Sequence, residues 1–462
     1  MNHLKADEYL SFDWGMTYLT GISDLSPRAL RYMMRPHSMT SVDFFNYYNE
    51  TIELIKKYMH TKSDLVPVVG PGRAAMDAAL NSFLEPGEKC LFIDNGYWGR
   101  YPVDVIAPHY GIKPELLSFR VEKQIDLDVV ERKLKDAGKA LKAIHLIHVE
   151  TEIGSVNPVK QIGDLIKEHA PDALFIVDSA SAFPGNPLET DKWGIDVDYY
   201  VSHKGFNGPS GLNFVSVGKK AREVLDKRRS VPSGWMTNIR TWLDTWVNCP
   251  NDSRHCLESF PIPQLHAVRA KLELLEIMGE DFYLKKYEIA SRALREGIRH
   301  MTQPVGALIA RGPACEDCLG CDAKDPNLVS DVKDGRLCGQ TMFTISYPKG
   351  FAWEKYMDIL ENSFWITAPH FGFGDARRNG YFYSANGMRI GIVRDDQHYP
   401  RNIVAMLTAA GMGLRECGLK DIKWEKGVEK AVDVMKEYRR IGFQMYGFKT
   451  TQGTKLVQQR AL

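Results

Sequence analysis

Between residues 65 and 218 the chain alternates short apolar runs with helix-like stretches, an order that few architectures accommodate. The runs are "KCLFIDN", "KAIHLIHVET", "ALFIVDSASAF", "DYYVSHK" and "LNFVSVG"; between several of them lie stretches such as "GRAAMDAALNSFL" and "VKQIGDLIKEHA". Short apolar strands joined by helical crossovers build a mostly parallel sheet covered on both faces. The expected class is α/β.

Ahead of this region, "SVDFFNYYNETIELIKKYM" repeats Phe45, Tyr48, Ile52 and Ile55 at helical spacing, which predicts an amphipathic helix. Behind it, the long helical pattern "PQLHAVRAKLELLEIMGEDFYLKKYEIASRALREGIRHM" reads as a connector. A smaller α/β region follows, with strands "TMFTISYP" and "GMRIGIV" and a helical tail. The expected division is an N-terminal arm over 1–20, a large domain over 21–285 and a small C-terminal domain over 286–462. The small domain carries a cysteine-rich insertion at 312–340.

Composition narrows function by exclusion. At 462 residues the chain can hold two domains with generous cores. A formal net charge of +1 leaves no electrostatic footprint for nucleic acid. No apolar run approaches the roughly 20 residues that span a bilayer. The start, "MNHLKADEYLSFDWG", is mixed and acidic, unlike a signal or transit peptide. Of eight cysteines, four are scattered singly and four cluster, which fits a reducing compartment. The expectation is a cytoplasmic protein with neither nucleic-acid nor membrane partners.

The chemistry begins at "YYVSHKGFNGPSGLNFVSVG", where Lys204 closes an apolar strand before a glycine-rich turn. Lysine is rarely buried, and a buried amine tends to shed its proton and become a nucleophile. Asp178 closes the strand "ALFIVDSASAF", 26 positions earlier. Two readings stand for it: a carboxylate facing a ligand at the sheet's carboxyl edge, or a cap on the next turn. The loop "VVGPGRAAMDAAL" runs from a strand into a helix near Arg73. Gly70 and Gly72 let a ligand approach the backbone, and the helix start offers N–H groups to an anion such as phosphate; an ordinary turn is the other reading. The loop is neither a Walker motif nor a dinucleotide fingerprint. With the strands of Asp178 and Lys204 side by side, acid, amine and loop share one crevice. That trio matches what pyridoxal phosphate requires: a lysine for the Schiff base, a carboxylate for the pyridine nitrogen and a helix N-terminus for the phosphate.

Three further residues each carry two readings. Trp98 in "NGYWGRYPVD" either stacks on a flat heterocycle or belongs to the core. Thr151 in "HVETEIGSVNP" either bonds a ring hydroxyl or ends a turn. Arg389, inside the apolar strand of "SANGMRIGIV", either takes a carboxylate in its planar fork or makes a structural salt bridge.

The ordered set of Gly-Pro-Gly loop, Tyr-Trp-Gly, Glu-Thr, Val-Asp-Ser, His-Lys and Met-Arg-Ile-Gly spans most of the chain, from "SPRALRYMMRP" to "GMRIGIV". As an ensemble it resembles the class V pyridoxal-phosphate-dependent aminotransferases of the alanine/serine–glyoxylate group. The resemblance implies the PLP-transferase fold type I and a homodimer with shared active sites. It implies that Lys204 holds the cofactor, Asp178 pairs with its ring nitrogen, Trp98 stacks on the ring and Thr151 contacts the ring hydroxyl. Gly72, Arg73 and His203, with Gly70 in the same loop, would surround the phosphate. Ser259 in "ESFPIPQLHAVR" would reach the partner's phosphate, and Arg389 would take the substrate carboxylate. The implied reaction moves an amino group from an alanine- or serine-like amino acid to a 2-oxo acid, glyoxylate or pyruvate, by a ping-pong mechanism.

Two departures bear on this reading. The family's N-terminal GPGP-type loop is replaced by "LTGISDLS", which keeps Gly21 as a lining residue of the substrate site but alters the amino-acceptor pocket. His203 stands where the family often carries Gln, and a His-Lys pair followed by Gly-Pro also occurs in cysteine desulfurases, a lyase alternative on the same fold. Desulfurases need a catalytic Cys shortly before the C-terminal Arg strand, and "HFGFGDARRNGYFYSANGMRIG" contains none.

The stretch "ACEDCLGCDAKDPNLVSDVKDGRLCGQ" lies outside the resemblance. Cys315, Cys318 and Cys321 are spaced Cys-x-x-Cys and followed by Cys338, a pattern that gathers thiolates around Zn²⁺ or an iron–sulfur cluster. It matches neither usual template fully. A structural metal staple, a redox cluster and a metal-free loop are the three readings.

Overall fold

A computed structural model describes residues 16–17, 25–119, 125–151, 154–248, 259–305, 340–346, 351–364, 366–367, 370–371 and 387–445. Gly21 and the cluster Cys315, Cys318, Cys321 and Cys338 lie outside the described residues.

Two helices lead in, α1 (Pro27–Met33) and α2 (Val42–Tyr58), capped by the Ser26 and Ser41 side chains. Helix α2 buries Phe44, Phe45, Tyr48, Ile52 and Ile55. Each such side chain contributes about 1.5–3 kcal/mol by leaving water. Then follow β1 (Asp64–Gly70), α3 (Arg73–Phe83), β2 (Lys89–Asp94), α4 (Tyr97–Tyr101), β3 (Lys113–Ser118) and α5 (Leu127–Ala137). Next come β4 (Leu141–Ile147), α6 (Val159–His169), β5 (Leu174–Asp178), β6 (Val197–Val201), β7 (Gly211–Val217) and α7 (Lys219–Asp226).

The strands form one seven-stranded sheet in the order β1-β7-β6-β5-β4-β2-β3. Strand β7 runs antiparallel to both neighbours, and every other pairing is parallel. This is the mostly parallel α/β sheet expected. Strands β5 and β6 are buried at every position, which is why their sequences show little polar alternation. After β2 the chain steps outward to β3, whereas β4 returns on the other side of β2. The connections diverge there, leaving a crevice at the carboxyl ends of the strands.

The long helical pattern comprises two helices. Helix α8 (Ile262–Met278) stops at Gly279, whose φ is +76°, and α9 (Glu280–Thr302) begins immediately after it. Glycine adopts a positive φ without steric penalty, so one residue ends a helix whose apolar periodicity continues on both sides. Helix α9 joins two cores: Tyr283 and Tyr287 pack in the first, Ile289 to Met301 in the second. The second core is built on β8 (Met342–Ser346), α10 (Trp353–Phe364), β9 (His370–Phe371), β10 (Gly387–Gly391), α11 (Pro400–Glu416) and α12 (Trp424–Met445). Its sheet, β8-β10-β9, is antiparallel. No helix among the described residues is long and apolar enough to cross a membrane.

Candidate active site

Strand register decides which side chains share the crevice. Asp178 ends β5 opposite Ile147 of β4 and Tyr199 of β6. Lys204 follows the end of β6, Trp98 lies in α4 just beyond β2, and Thr151 comes shortly after β4. All four leave the carboxyl ends of parallel strands, the edge where such sheets bind ligands.

The turn that carries Lys204 depends on its neighbour. A Cβ on Gly205 would lie 2.0 Å from the Phe183 carbonyl oxygen, so backbone packs directly on the loop that follows Asp178. The Lys204 Nζ donates to Ser181 Oγ at 2.9 Å and stands 5.2 Å from the centroid of the Trp98 ring. Burial lowers this amine to about 8; Asp178 opposes the shift, Arg389 adds to it, Glu150 opposes it and Arg73 adds to it. The Asp178 carboxyl is raised by burial, against the Ala180 N–H that it accepts at 2.8 Å, the Lys204 charge and the Tyr199 hydroxyl.

The glycine loop lies flush against His203. Gly70 has φ +143°, and a Cβ on Gly72 would fall 2.7 Å from His203 Cε1. Burial, with Lys204 beside it, lowers the His203 imidazole to about 4, so the ring is neutral at pH 7. Arg73 opens α3 with its guanidinium carbon 5.4 Å from the Trp98 ring and 4.8 Å from that of Tyr101. Trp98 is itself pinned by Glu150, whose Oε2 accepts the Trp98 and Gly99 backbone N–H groups at 3.1 Å each. A carboxylate there satisfies two donors at the start of a helix.

Arg389 sits mid-strand in β10, opposite Thr344 of β8, with its charge felt at Lys204. The two cores are latched at this point. Thr341 Oγ1 donates to the Ser181 carbonyl at 2.6 Å, Asn186 Nδ2 donates to Thr341 Oγ1 at 3.2 Å, and the Ile392 N–H donates to the Thr341 carbonyl at 2.8 Å. Ser259 stands exposed just ahead of α8 and makes no hydrogen bond to the Lys204 cluster among the described residues. Sequence reasoning passed over Ser181 and Glu150. Glu150, an acid inside an otherwise apolar run, was a usable signal; Ser181, one small residue among several in a turn, was not.

Two polar atoms of the crevice, Thr151 Oγ1 and His203 Nδ1, are buried with no hydrogen-bond partner among the described residues. Native interiors ordinarily satisfy such groups, so a polar ligand reaching these two would complete them. Residues 29–308, more than half of the chain, match the family model described as Aminotransferase class-V. The chain belongs to this family.

Relatives of this aminotransferase cover most of its length. An uncharacterized aminotransferase of Methanocaldococcus jannaschii is 26% identical over 395 residues, 85% of this chain and 90% of that protein. The alanine–glyoxylate aminotransferase of Rattus norvegicus is 28% identical over 346 residues, 74% of this chain and 76% of that protein. The crystal structure of ureidoglycine–glyoxylate aminotransferase from Bacillus subtilis superposes with a TM-score of 0.75 at 23% identity, covering 91% of this chain and 98% of that one. The fold is thus the fold type I of pyridoxal-phosphate transferases, and the protein is a pyridoxal-phosphate-dependent transaminase. The crevice of this aminotransferase fits that cofactor: an amine of lowered pKa, a buried acid, a close-approach loop at a helix start and two unsatisfied polar atoms.

Proposed function

We propose that this aminotransferase moves an amino group from an alanine- or serine-like amino acid to a 2-oxo acid, glyoxylate or pyruvate, in a ping-pong cycle. The observation that carries the reading is the setting of Lys204 Nζ: bonded to Ser181, over the Trp98 ring and within the fields of Asp178 and Arg389. Glyoxylate as acceptor is supported by the names of the rat relative and the Bacillus structure.

Gly70, Gly72, Arg73 and His203 would hold the cofactor's phosphate, Trp98 its ring face, Thr151 its ring hydroxyl, Asp178 its ring nitrogen and Lys204 its aldehyde carbon. When bound, pyridoxal phosphate supplies a carbonyl that takes up amino groups and a cationic ring that draws electrons from the donor's Cα. Lys204 moves the proton at that Cα, a task suited to an amine whose pKa lies near the working pH. Arg389 binds the donor's carboxylate through its fork and so aims the Cα–H bond. The Asp178 anion opposes loss of the ring-nitrogen proton.

The test pairs a donor and acceptor screen with spectra of Lys204→Ala. The variant is expected to lose both the yellow colour of the bound cofactor and turnover, by about 10²–10⁴-fold. A variant that kept both, or a wild-type enzyme moving no amino group from small donors to glyoxylate or pyruvate, would overturn the reading.

The proposal extends to the assembly. A homodimer with shared sites, in which Ser259 reaches the partner's phosphate, accords with the exposed position of Ser259; sedimentation of a monomer would exclude it. A boundary between a large domain over 21–285 and a small one over 286–462 is supported by the change of core within α9, whereas an arm over 1–20 rests on the sequence alone. A cytoplasmic location rests on the cysteine usage of the sequence, and cell fractionation checks it. Zinc or an iron–sulfur cluster at Cys315, Cys318, Cys321 and Cys338 rests on their spacing; metal analysis of wild type against Cys318→Ser decides it.

A further inference from the structure

We propose that Tyr199 and His145 are positioning residues for Asp178, forming a hydrogen-bonded chain across three strands that holds the carboxylate ionised and aimed into the crevice. This rests on the reading of Asp178 as partner of the cofactor's ring nitrogen.

The register supplies the geometry. Partners across a ladder point to the same face, as do residues two apart on one strand. Asp178 of β5 pairs with Tyr199 of β6 and with Ile147 of β4, two residues beyond His145. All three polar side chains therefore stand on one face of the sheet. His145 Nε2 lies 2.9 Å from the Tyr199 hydroxyl, and the two rings stack with centroids 6.2 Å apart at 25°. Strand pairing brings Tyr199 alongside Asp178, and its hydroxyl and the carboxylate each act on the other's protonation as hydrogen-bonding neighbours. Exposure is 0% for His145, 1% for Tyr199 and 7% for Asp178.

Protons can be assigned along this chain. An ionised Asp178 only accepts, so Tyr199 donates to it. The phenol oxygen then accepts, so His145 carries its proton on Nε2. Burial keeps the phenol protonated and lowers the imidazole to about 3, so neither partner competes as an ion. His145 Nδ1 is left buried with no partner among the described residues, which that tautomer leaves as a bare acceptor. An apolar sheet interior needs neither an imidazole nor a phenol for packing; Phe or Leu fills the same space without a polar group to satisfy. What the pair adds is a donor directed at a buried carboxylate, which would otherwise take up a proton. A protonated Asp178 has no negative charge with which to hold a proton on a pyridine nitrogen.

The experiment uses holoenzyme reconstituted with pyridoxal phosphate labelled with ¹⁵N in the ring, with the nitrogen chemical shift read by NMR. Wild type should show a protonated ring nitrogen. Tyr199→Phe should move the shift toward the unprotonated value and lower kcat by about 10–100-fold, the equivalent of one charge-assisted hydrogen bond, with KM little changed. His145→Leu should move it in the same direction, and His145→Gln, which keeps an N–H donor, should restore it. Folded, cofactor-loaded variants that all keep the wild-type shift overturn the proposal while leaving the Asp178 reading intact. Should Tyr199→Phe not fold, the His145 pair decides alone: a shift in Leu but not Gln supports the chain, and identical shifts overturn it. An unprotonated nitrogen in wild type removes the Asp178 reading, and this inference with it.

Discussion

Lys204 Nζ and Ser181 Oγ are 2.9 Å apart, and the Ser181 carbonyl is fixed at the same time by Thr341. The hydroxyl thus gives the amine a defined resting place three residues beyond Asp178. Removing it takes an acceptor from the ammonium form, so in Ser181→Ala the amine falls below its present value of about 8. Turnover is expected to drop by about tenfold, the worth of one hydrogen bond to a charged group, and its acidic limb to move to lower pH. A wild-type pH profile in the variant would show that Ser181 does not support the lysine.

The apoenzyme should carry the mark of Lys204 in its pH dependence. The amine is lowered from 10.5 to about 8 by burial. Between those values the unfolded chain binds the extra proton, so this residue's contribution to stability rises with pH across that window and is least favourable below it. Wild-type apoenzyme should unfold at lower denaturant than Lys204→Met near pH 7, and the gap should close as pH approaches 10.5. Uptake of pyridoxal phosphate should accelerate through pH 8. Acceleration confined to the neighbourhood of 10.5 would indicate an unperturbed lysine.

Arg389→Ala should raise KM for carboxylate-bearing donors by about 10–100-fold, corresponding to a charge-assisted bond of 1.5–3 kcal/mol. Amines lacking a carboxylate should be turned over equally by both enzymes. Steady-state kinetics with alanine and serine against a simple alkyl amine checks this, and unchanged kinetics with the amino acids would take Arg389 out of the site.

Gly205→Ala tests the packing behind the lysine. The added methyl would meet the Phe183 carbonyl at 2.0 Å, and a backbone atom cannot swing aside. Overpacking of this kind costs about 1–3 kcal/mol, and the displaced turn should also reduce cofactor loading. Thermal unfolding with a parallel cofactor titration measures both, and wild-type values would mean that the turn has room to relax.

The sheet could be read from sequence because its strands are buried on both faces: runs such as "LFIVD" admit few other placements. The convergence of Lys204 and Asp178 on one edge was legible for the same reason, since each closes such a run. The break at Gly279 was not, because a single positive φ leaves the apolar periodicity intact on either side. Nor could the sequence show that Glu150 holds the start of α4, or that His145 and Tyr199 share a face with Asp178. Those relations join different strands, and only register creates them.

Thr341 has a mechanical consequence. It is bonded to the turn that cradles the lysine and, through Ile392, to the chain leaving the strand that bears Arg389. Its methyl also fills the space that a side chain on Gly185 would take, with a Cβ there only 2.4 Å away. Thr341 is therefore a shared anchor: it ties the turn beneath the amine to the strand that carries the guanidinium, and a change of its side chain would be felt at both ends of the crevice at once.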